Sequence, residues 1–323
     1  MAILQFRKKW LLSKVEATYG IDPALASPLA PLVSADAIET RGLSITRYDG
    51  PRISNEIDRF VLGGYADINV MPSAVLSFNV GMQGSNAAIT KPAYDSLMQA
   101  CGIAAVQNSP QSGGWKYSPI STAFKSVTLH HYQDGMRQVI VGARGNLAGS
   151  LTRGQLPVFT FNNLRGFYQR PTTPAPVNPT LTAYYAPIPV TFDNTPTFSF
   201  AGYAGFRLES FSFDFNNQIS HHDTTNYREV FITNRAVTGQ LSFSATDIAT
   251  FDIFAKLESH ASLVTNVLSI IHGITAGKII KIDAPAVQIA NISESDSDGV
   301  YTYVLDLKFL PVAGNDELTI TTK

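Results

Sequence analysis

Two stretches decide how this chain reads: residues 73–80, SAVLSFNV, and residues 238–245, TGQLSFSA. In the first, apolar and polar residues alternate with period two behind Pro72. That is the mark of a strand with one buried face. A helical pattern follows each stretch. Lys91 to Ile103, KPAYDSLMQACGI, places Tyr94, Leu97, Met98 and Cys101 at i, i+3, i+4 and i+7, with Pro92 at its first turn and Gly102 at its end. Asp247 to Leu257 places Ile248, Phe251, Phe254 and Ala255 on one face. Three strands follow each helix. RQVIV (137–141) stands against GKIIKI (277–282), and VFTFNNL (158–164) against VYTYVLDL (300–307). Identity is thin, but the order of elements repeats, so the chain reads as one β-rich module used twice.

Outward from these anchors, further strands are expected at Arg59–Leu62, Phe124–Tyr132, Leu208–Phe215, Glu229–Thr233, Val267–His272 and Val287–Ile289. Asp134-Gly135 reads as a hairpin turn, and Asp296-Ser297-Asp298-Gly299 as the turn before the long strand Val300–Phe309. Residues 105–123, rich in Ser, Gly, Pro and Gln, read as a loop. A short helical pattern runs from Leu4 to Val15. After it come Gly20, Pro23, Pro28 and Pro31, an extended arm whose Leu25, Leu29, Leu32 and Val33 suit a partner surface. Seven of the 18 prolines lie between Pro171 and Pro196. The expected division is an arm over 1–50, a first module over 51–170, a proline-rich connector over 171–200 and a second module over 201–323.

Composition narrows function. Among 323 residues, 24 Lys and Arg face 25 Asp and Glu, a net charge of −1, and charged residues are only 15% while hydrophobic ones are 45%. That much apolar side chain excludes disorder throughout. Near-neutrality makes no case for tight nucleic-acid binding. A surface so poor in charge suits a protein covered by copies of itself. Cys101 is the only cysteine, so no intrachain disulfide and no thiolate zinc cluster is expected. No run approaches 18 uninterrupted apolar residues, and in Met1–Leu12 the basic Arg7-Lys8-Lys9 follows a short apolar run, the wrong order for a signal peptide. Synthesis as a soluble cytoplasmic chain is the expectation.

Chemical motifs are sparse. His130-His131 and His221-His222-Asp223 are the histidine clusters, and neighbours on a strand point to opposite faces, away from a common metal. Gly142 to Gly149 has the wrong spacing for a dinucleotide loop, and Gly277-Lys278 lacks the following Ser or Thr of a phosphate loop. Asp296-Ser297-Asp298-Gly299 lacks the last ligand of a calcium loop. No G-x-S-x-G elbow occurs. No catalytic residue, metal site or cofactor is expected.

KPAYDSLMQACGI after a polar loop, then YQDGMRQVIVGARGN, then LPVFTFNNLRGFY, resemble the major tail tube proteins of long-tailed bacteriophages. RKKWLLSKVEATYGIDP near the start and LKFLPVAGNDELTI near the end are similar as well. The resemblance covers most of the chain and rests on apolar pattern, glycine placement and order. It implies a mainly β fold, here two tandem β-barrel or sandwich tail-tube modules, each with one flanking α-helix. It implies self-assembly into rings that stack into a hollow tail tube, the conduit for DNA ejection, in a virion made in the host bacterial cytoplasm. A ring of six modules then needs three two-module chains. A hexamer is the alternative if the repeat is false. The expected companions are the tape-measure protein and phage DNA in the lumen, without sequence-specific binding, and tail terminator and baseplate proteins at the tube ends, with no membrane.

A lumen must pass a polyanion without holding it, so a neutral or acidic lining is expected, since each phosphate contact adds affinity. Glu56, Asp58, Asp67, Asp214, Asp223 and Glu229 are the candidates to line it. An ordinary solvated strand face is the other reading of each. Residues 1–20 carry four cations against Glu16, and residues 281–317 carry seven acids against two lysines. Opposite charges on stacked faces would orient rings, which makes Arg7, Lys8, Lys9, Lys14, Asp296, Asp298, Asp316 and Glu317 candidate inter-ring contacts. Two rival functions remain: a ring of a baseplate or secretion-system tube, and a β-sandwich carbohydrate-binding module.

Overall fold

The computed structural model of the chain describes residues 4–26, 32–85, 90–108, 113–173, 178–260 and 262–323. In the first half these form β1 (Lys9–Val15), helix α1 (Pro23–Ala26), β2 (Ala37–Ile38), β3 (Arg41–Asp49), β4 (Arg52–Ser54), β5 (Asp67–Asn69), β6 (Ser73–Gly81), helix α2 (Asp95–Ala100), β7 (Ile103–Gln107), β8 (Trp115–Pro119), β9 (Val127–Gln133), β10 (Met136–Thr152) and β11 (Val158–Phe167). In the second half they form β12 (Thr197–Phe200), β13 (Leu208–Asp214), β14 (Gln218–Thr224), β15 (Tyr227–Asn234), β16 (Thr238–Ser244), helix α3 (Phe254–Leu257), β17 (Asn266–His272), β18 (Ile280–Ser297), β19 (Val300–Phe309) and β20 (Thr319–Thr322). The chain is mainly β, and its strands pair antiparallel. Among the described residues no helix is long and apolar enough to cross a membrane.

Neighbouring strands run β3-β6-β11-β10-β9-β1 in the first half and β13-β16-β19-β18-β17-β12 in the second. The two orders coincide place for place. SAVLSFNV is β6 and TGQLSFS is β16, each the second strand of its row. The third strand, β11 or β19, is ten residues long in both halves. The fourth strand is the long one, 17 residues in β10 and 18 in β18. Each bends at a bulge. β10 pairs β9 from Met136 to Ala143 and β11 from Val141 to Ser150, with irregularities between Ile140 and Ala143 and between Val141 and Arg144 where the two overlap. β18 pairs β17 first and then β19, with an irregularity between Ile289 and Asn291. A bulge adds local bend and twist, which lets one strand carry the sheet around a core. Each half also sends out one hairpin between its first two strands, β4–β5 or β14–β15.

The halves are not separate bodies. The far part of β10 pairs β13, with Ser150 opposite Ser212 and Leu151 opposite Phe211. β8 pairs β20, which pairs β18, so the β7–β8 hairpin of the first half completes the sheet of the second. One continuous apolar cluster runs from Leu11 to Ile320 and includes the buried Phe159, Phe161, Phe211 and Phe243. Helix α2 covers it with Leu97 and Met98.

Several local expectations are corrected. The helical pattern over Leu4–Val15 is strand β1 from Lys9 onward, paired with β9 along its whole length and burying Leu11 and Leu12. A helix this short is marginal in water, and the sheet edge offers its backbone a full set of partners. Residues 9–15 and 41–49 of the expected arm are therefore sheet strands. Leu29, Pro28 and Pro31 lie outside the described residues, as do Pro174 and Pro176 of the connector, whose last residues form β12 against β17. Arg59–Leu62 is no strand; it belongs to the exposed loop that joins β4 to β5. The loop expected over 105–123 contains most of the β7–β8 hairpin. The helix over Asp247–Leu257 shrinks to α3. The Asp247 and Asp252 carboxylates accept from the N–H groups of Ala249, Phe254 and Ala255 at 3.0–3.1 Å, turns that compete with helix.

Candidate functional site

Alternation gives every strand of the main sheet a second face. Leu76, Phe78, Leu147, Phe159, Phe211, Leu241 and Leu305 point into the core, so the residues between them point out. The pairings join these outward residues into rows. One row crosses eight strands, from Arg41 through Asn79, Thr160, Ala148, Asp214, Thr238 and Lys308 to Gln288. The next runs Val158, Ser150, Ser212, Gln240, Asp306, Asn291. A third runs Thr152, Ser210, Ser242, Val304, Ser293. Hydroxyls and amides dominate, and the charges nearly cancel, with Asp214 and Asp306 against Arg41 and Lys308. The face passes without interruption from the first half to the second.

Hydrogen bonds tie the rows together. Asp214 Oδ1 accepts from Asn146 Nδ2 and from the Asn216 N–H, each at 2.7 Å. Asn146 Nδ2 also donates to Asn162 Oδ1 at 3.0 Å, and Asn216 Nδ2 to Thr238 Oγ1 at 2.7 Å. Gln240 Nε2 donates to Asp306 Oδ1 across the β16–β19 pair at 3.2 Å. These bonds hold short side chains against the sheet.

The joint between the halves is built on the other face and on the outside of the sheet. Phe213 lies opposite Gly149 on β10 and Gly239 on β16. A Cβ at Gly149 would stand 2.5 Å from the Phe213 ring, and one at Gly239 would stand 2.4 Å from the Ser212 carbonyl, so both sites need glycine. Hairpin β14–β15 folds over the first half. Val230 packs with Val139, Val141 and Phe167, and Ile219 and Tyr19 border them. Arg144 fastens it. Its Nη1 is 2.7 Å from Glu229 Oε1 and donates to the Val230 carbonyl at 2.6 Å, and its guanidinium lies 4.8 Å above the Tyr19 ring. Tyr19 Oη accepts from the Val230 N–H and donates to the Gly142 carbonyl. Burial pushes the Tyr19 hydroxyl up to about 12, so it stays a donor.

The sequence candidates scatter over this frame. Of the six acids expected at a lumen, Asp214 lies on the polar face. Glu56, Asp58 and Asp67 stand exposed on the β4–β5 hairpin and its loop. Asp223 pairs with Arg228 at 3.1 Å on the β14–β15 hairpin, and Glu229 is held by Arg144. Of the charges expected between rings, Lys8 lies 3.7 Å from Asp134 and Lys14 3.7 Å from Asp36, while Lys9 Nζ donates to the Leu43 carbonyl. Arg7 is exposed. Glu317 is a buried partner of Arg235 at 2.7 Å. Asp316 accepts from the N–H groups of Val312 and Ala313, Asp296 from the Gly299 N–H in its turn, and Asp298 lies 3.4 Å from Arg153. Lys8, Lys14 and Glu317 are thus paired within the chain. The serines, threonines and Gln240 of the polar rows went unmarked in the sequence. Their trace there was the polar half of the alternation, written in small hydroxyls where a solvated strand carries Lys and Glu.

The histidines do not converge. His130 Nε2 is 2.9 Å from Asp22 on one side of β9, and His131 is turned to the other side, toward Arg47 and Lys9. Among the described residues no group of three or more His, Cys, Asp and Glu is placed to hold a metal ion. Residues 11–309 match the family model described as phage tail tube protein. No curated protein matches the chain.

Proposed function

The chain belongs to the phage tail tube protein family, and from that premise we propose that three copies close into a ring whose hole is lined by the polar sheet face. Membership makes the protein a structural component of the virion tail, assembled there as stacked oligomers. One observation carries the three-copy reading: the strand order of the first half recurs in the second, and the two halves already share one sheet. Three chains then supply six modules. The working division is two modules, the first including β1 to β3, joined by the connector that ends before β12.

The lining follows from chemistry. A polar face of Ser, Thr, Asn and Gln stays wet and gives sliding DNA weak, exchangeable contacts. With its few charges balanced, it builds no run of cations to release counterions, which is where nucleic-acid affinity comes from. Of the acids expected in the lumen, Asp214 and the unforeseen Asp306 fit this lining. A tape-measure protein would occupy the same channel before ejection. Negative-stain microscopy of the purified protein tests the reading. Class averages with threefold symmetry, six lobes and an open centre, at a sedimentation mass of three chains, are expected. Six chains per ring, or particles without a hole, would overturn it. Long filaments on further assembly would favour a tube over a baseplate ring, which stops after one or two layers.

A further inference from the structure

The joint inside the chain has no counterpart at the chain's two ends, and those ends match it. β13 is bonded to β10 on one side, but β3, its equivalent, pairs only with β6 among the described residues. β10 is bonded to β13 beyond β9, but the equivalent stretch of β18, residues 291–297, pairs only with β19. The first half thus begins, and the second half ends, on a strand with no further strand beside it among the described residues; on β3 the Leu43 and Arg47 carbonyls accept only from the side chains of Lys9 and Gln138, contacts that a neighbouring strand can displace.

The equivalences fix a register. Phe78 faces Phe161 as Phe243 faces Tyr303, Ser150 faces Val158 as Ser297 faces Val300, and Thr46 faces Val75 as Ser212 faces Gln240. The internal pair Ser150–Ser212 therefore translates to Ser297 opposite Thr46. One residue further, Gly149–Phe213 translates to Asp296 opposite Arg47. These two charges are complementary. Arg47 donates to the neutral amides of Gln138 and Gln133 at 3.0 and 2.5 Å, with no carboxylate paired to it among the described residues, and Asp296 receives only the Gly299 N–H.

The hairpins match as well. Within the chain, β14–β15 buries Val230 and Ile232. Its equivalent, β4–β5, leaves its apolar side chains uncovered by the described residues: Ile53 is 58% exposed, Phe60 101%, Val61 58%, Leu62 105% and Ile68 57%. A cluster of this kind on a short hairpin marks an interaction surface.

We infer that each chain joins the next by repeating its own internal joint: the β18 edge of one copy pairs antiparallel with the β3 edge of a second copy, Ser297 against Thr46, and the β4–β5 hairpin of the second copy lies over the outside of the first copy's second half. This rests on the ring reading and specifies its contacts. The repeat is not perfect, and the differences have a consequence. Arg144, which fastens the internal hairpin, corresponds to Asn291, so the joint between chains lacks the buried ion pair and is the one that opens when rings come apart.

A Thr46→Cys/Ser297→Cys variant tests the register, because residues directly opposite in an antiparallel pair come within disulfide reach. Cys101 is buried and does not compete. Oxidation of assembled rings, run on a denaturing gel without reductant, should give a ladder that ends at the covalent trimer. The offset pair Thr46→Cys/Ser293→Cys should give none. Rings visible by microscopy with no cross-link in the first variant, or an equal ladder in both, would overturn the proposed edge pairing and leave the ring intact. Absence of rings from the unmodified protein would instead overturn the ring reading itself. As a second measurement, Arg47→Asp and Asp296→Arg should each lose rings and regain them when combined in one chain. Wild-type assembly by each single variant would remove the charge pair from the joint.

Discussion

Arg144 joins the two halves through a single guanidinium. Its side chain is 6% exposed and that of Glu229 13%, so truncation strands a carboxylate in a dry place. Breaking such a pair typically costs about 3–5 kcal/mol. Arg144→Ala should lower the urea midpoint accordingly, and Arg144→Lys should recover only part of the loss. An ammonium cannot reach Glu229, the Val230 carbonyl and the Phe124 carbonyl at once. His131 makes the second residue-scale prediction. Burial, with the positive charges of Arg47 and Lys9 nearby, pushes its imidazole from 6.5 down to about 4. Between these values the ring is neutral in the fold and protonated in the unfolded chain. Acid therefore favours unfolding across that window, and near pH 4 the loss is on the order of 3 kcal/mol. Thermal melts should fall from pH 6.5 to 4, and less steeply in His131→Gln. No change above pH 6.5 is expected from this group. Neither role could be seen in sequence, because both depend on what stands across the fold from a residue.

At the scale of elements, strands with a strict period were legible, and so was helix α2, whose Tyr94, Leu97, Met98 and Cys101 are all buried, though it is shorter than the pattern over Lys91–Ile103; the second helix was not. β6, β16 and β19 show their alternation because one face meets the core and the other meets water. α3 lost most of its expected length to two aspartates whose side chains captured backbone N–H groups. β1 shows no strand period, since both Leu11 and Leu12 are buried, one toward the main core and one toward a satellite cluster of Ala37 and Tyr132. The β4–β5 hairpin misleads in the opposite sense. Its loop residues Phe60, Val61 and Leu62 look like a strand because they are apolar, yet they stand exposed and none of them enters the core. Replacing residues 55–66 by Asn-Gly should change the stability of the isolated chain by no more than about 0.5 kcal/mol, as for other exposed segments. It should prevent ring formation. A loss of several kcal/mol on this exchange, measured by chemical unfolding, would show that the loop packs on its own chain.

For the whole molecule, the decisive property is a sheet face that is polar but nearly uncharged. Wild-type rings should not retain duplex DNA at physiological salt. Ser150→Lys/Ser212→Lys places two cations per chain at the centre of that face. Rings of this variant should retain DNA in a gel-shift assay, with a log–log salt slope steeper by about 0.9 for each phosphate contacted. Equal retention by wild type and variant would mean that the face does not meet DNA. The low charge content, 15% of residues, is now accounted for by place: the outward sheet face is hydroxyl-rich, and several of the charges that exist are paired within the chain.

What the amino-acid sequence determined by itself was local and periodic. It set the period-two strands, the turns at Asp134-Gly135 and Asp298-Gly299, and the recurrence of one element order, because each depends on residues within a few positions of one another. Only the tertiary structure decided that β10 and β18 bend, that β13 joins β10, and which outward residues form a continuous polar face. It also showed that the lysines and acids at the two ends of the chain are largely spent on neighbours within it. Pairing in an antiparallel sheet is set by hydrogen bonds between backbone groups that every residue carries. Which strand lies beside which is therefore written in the packing of the core and not in any single stretch.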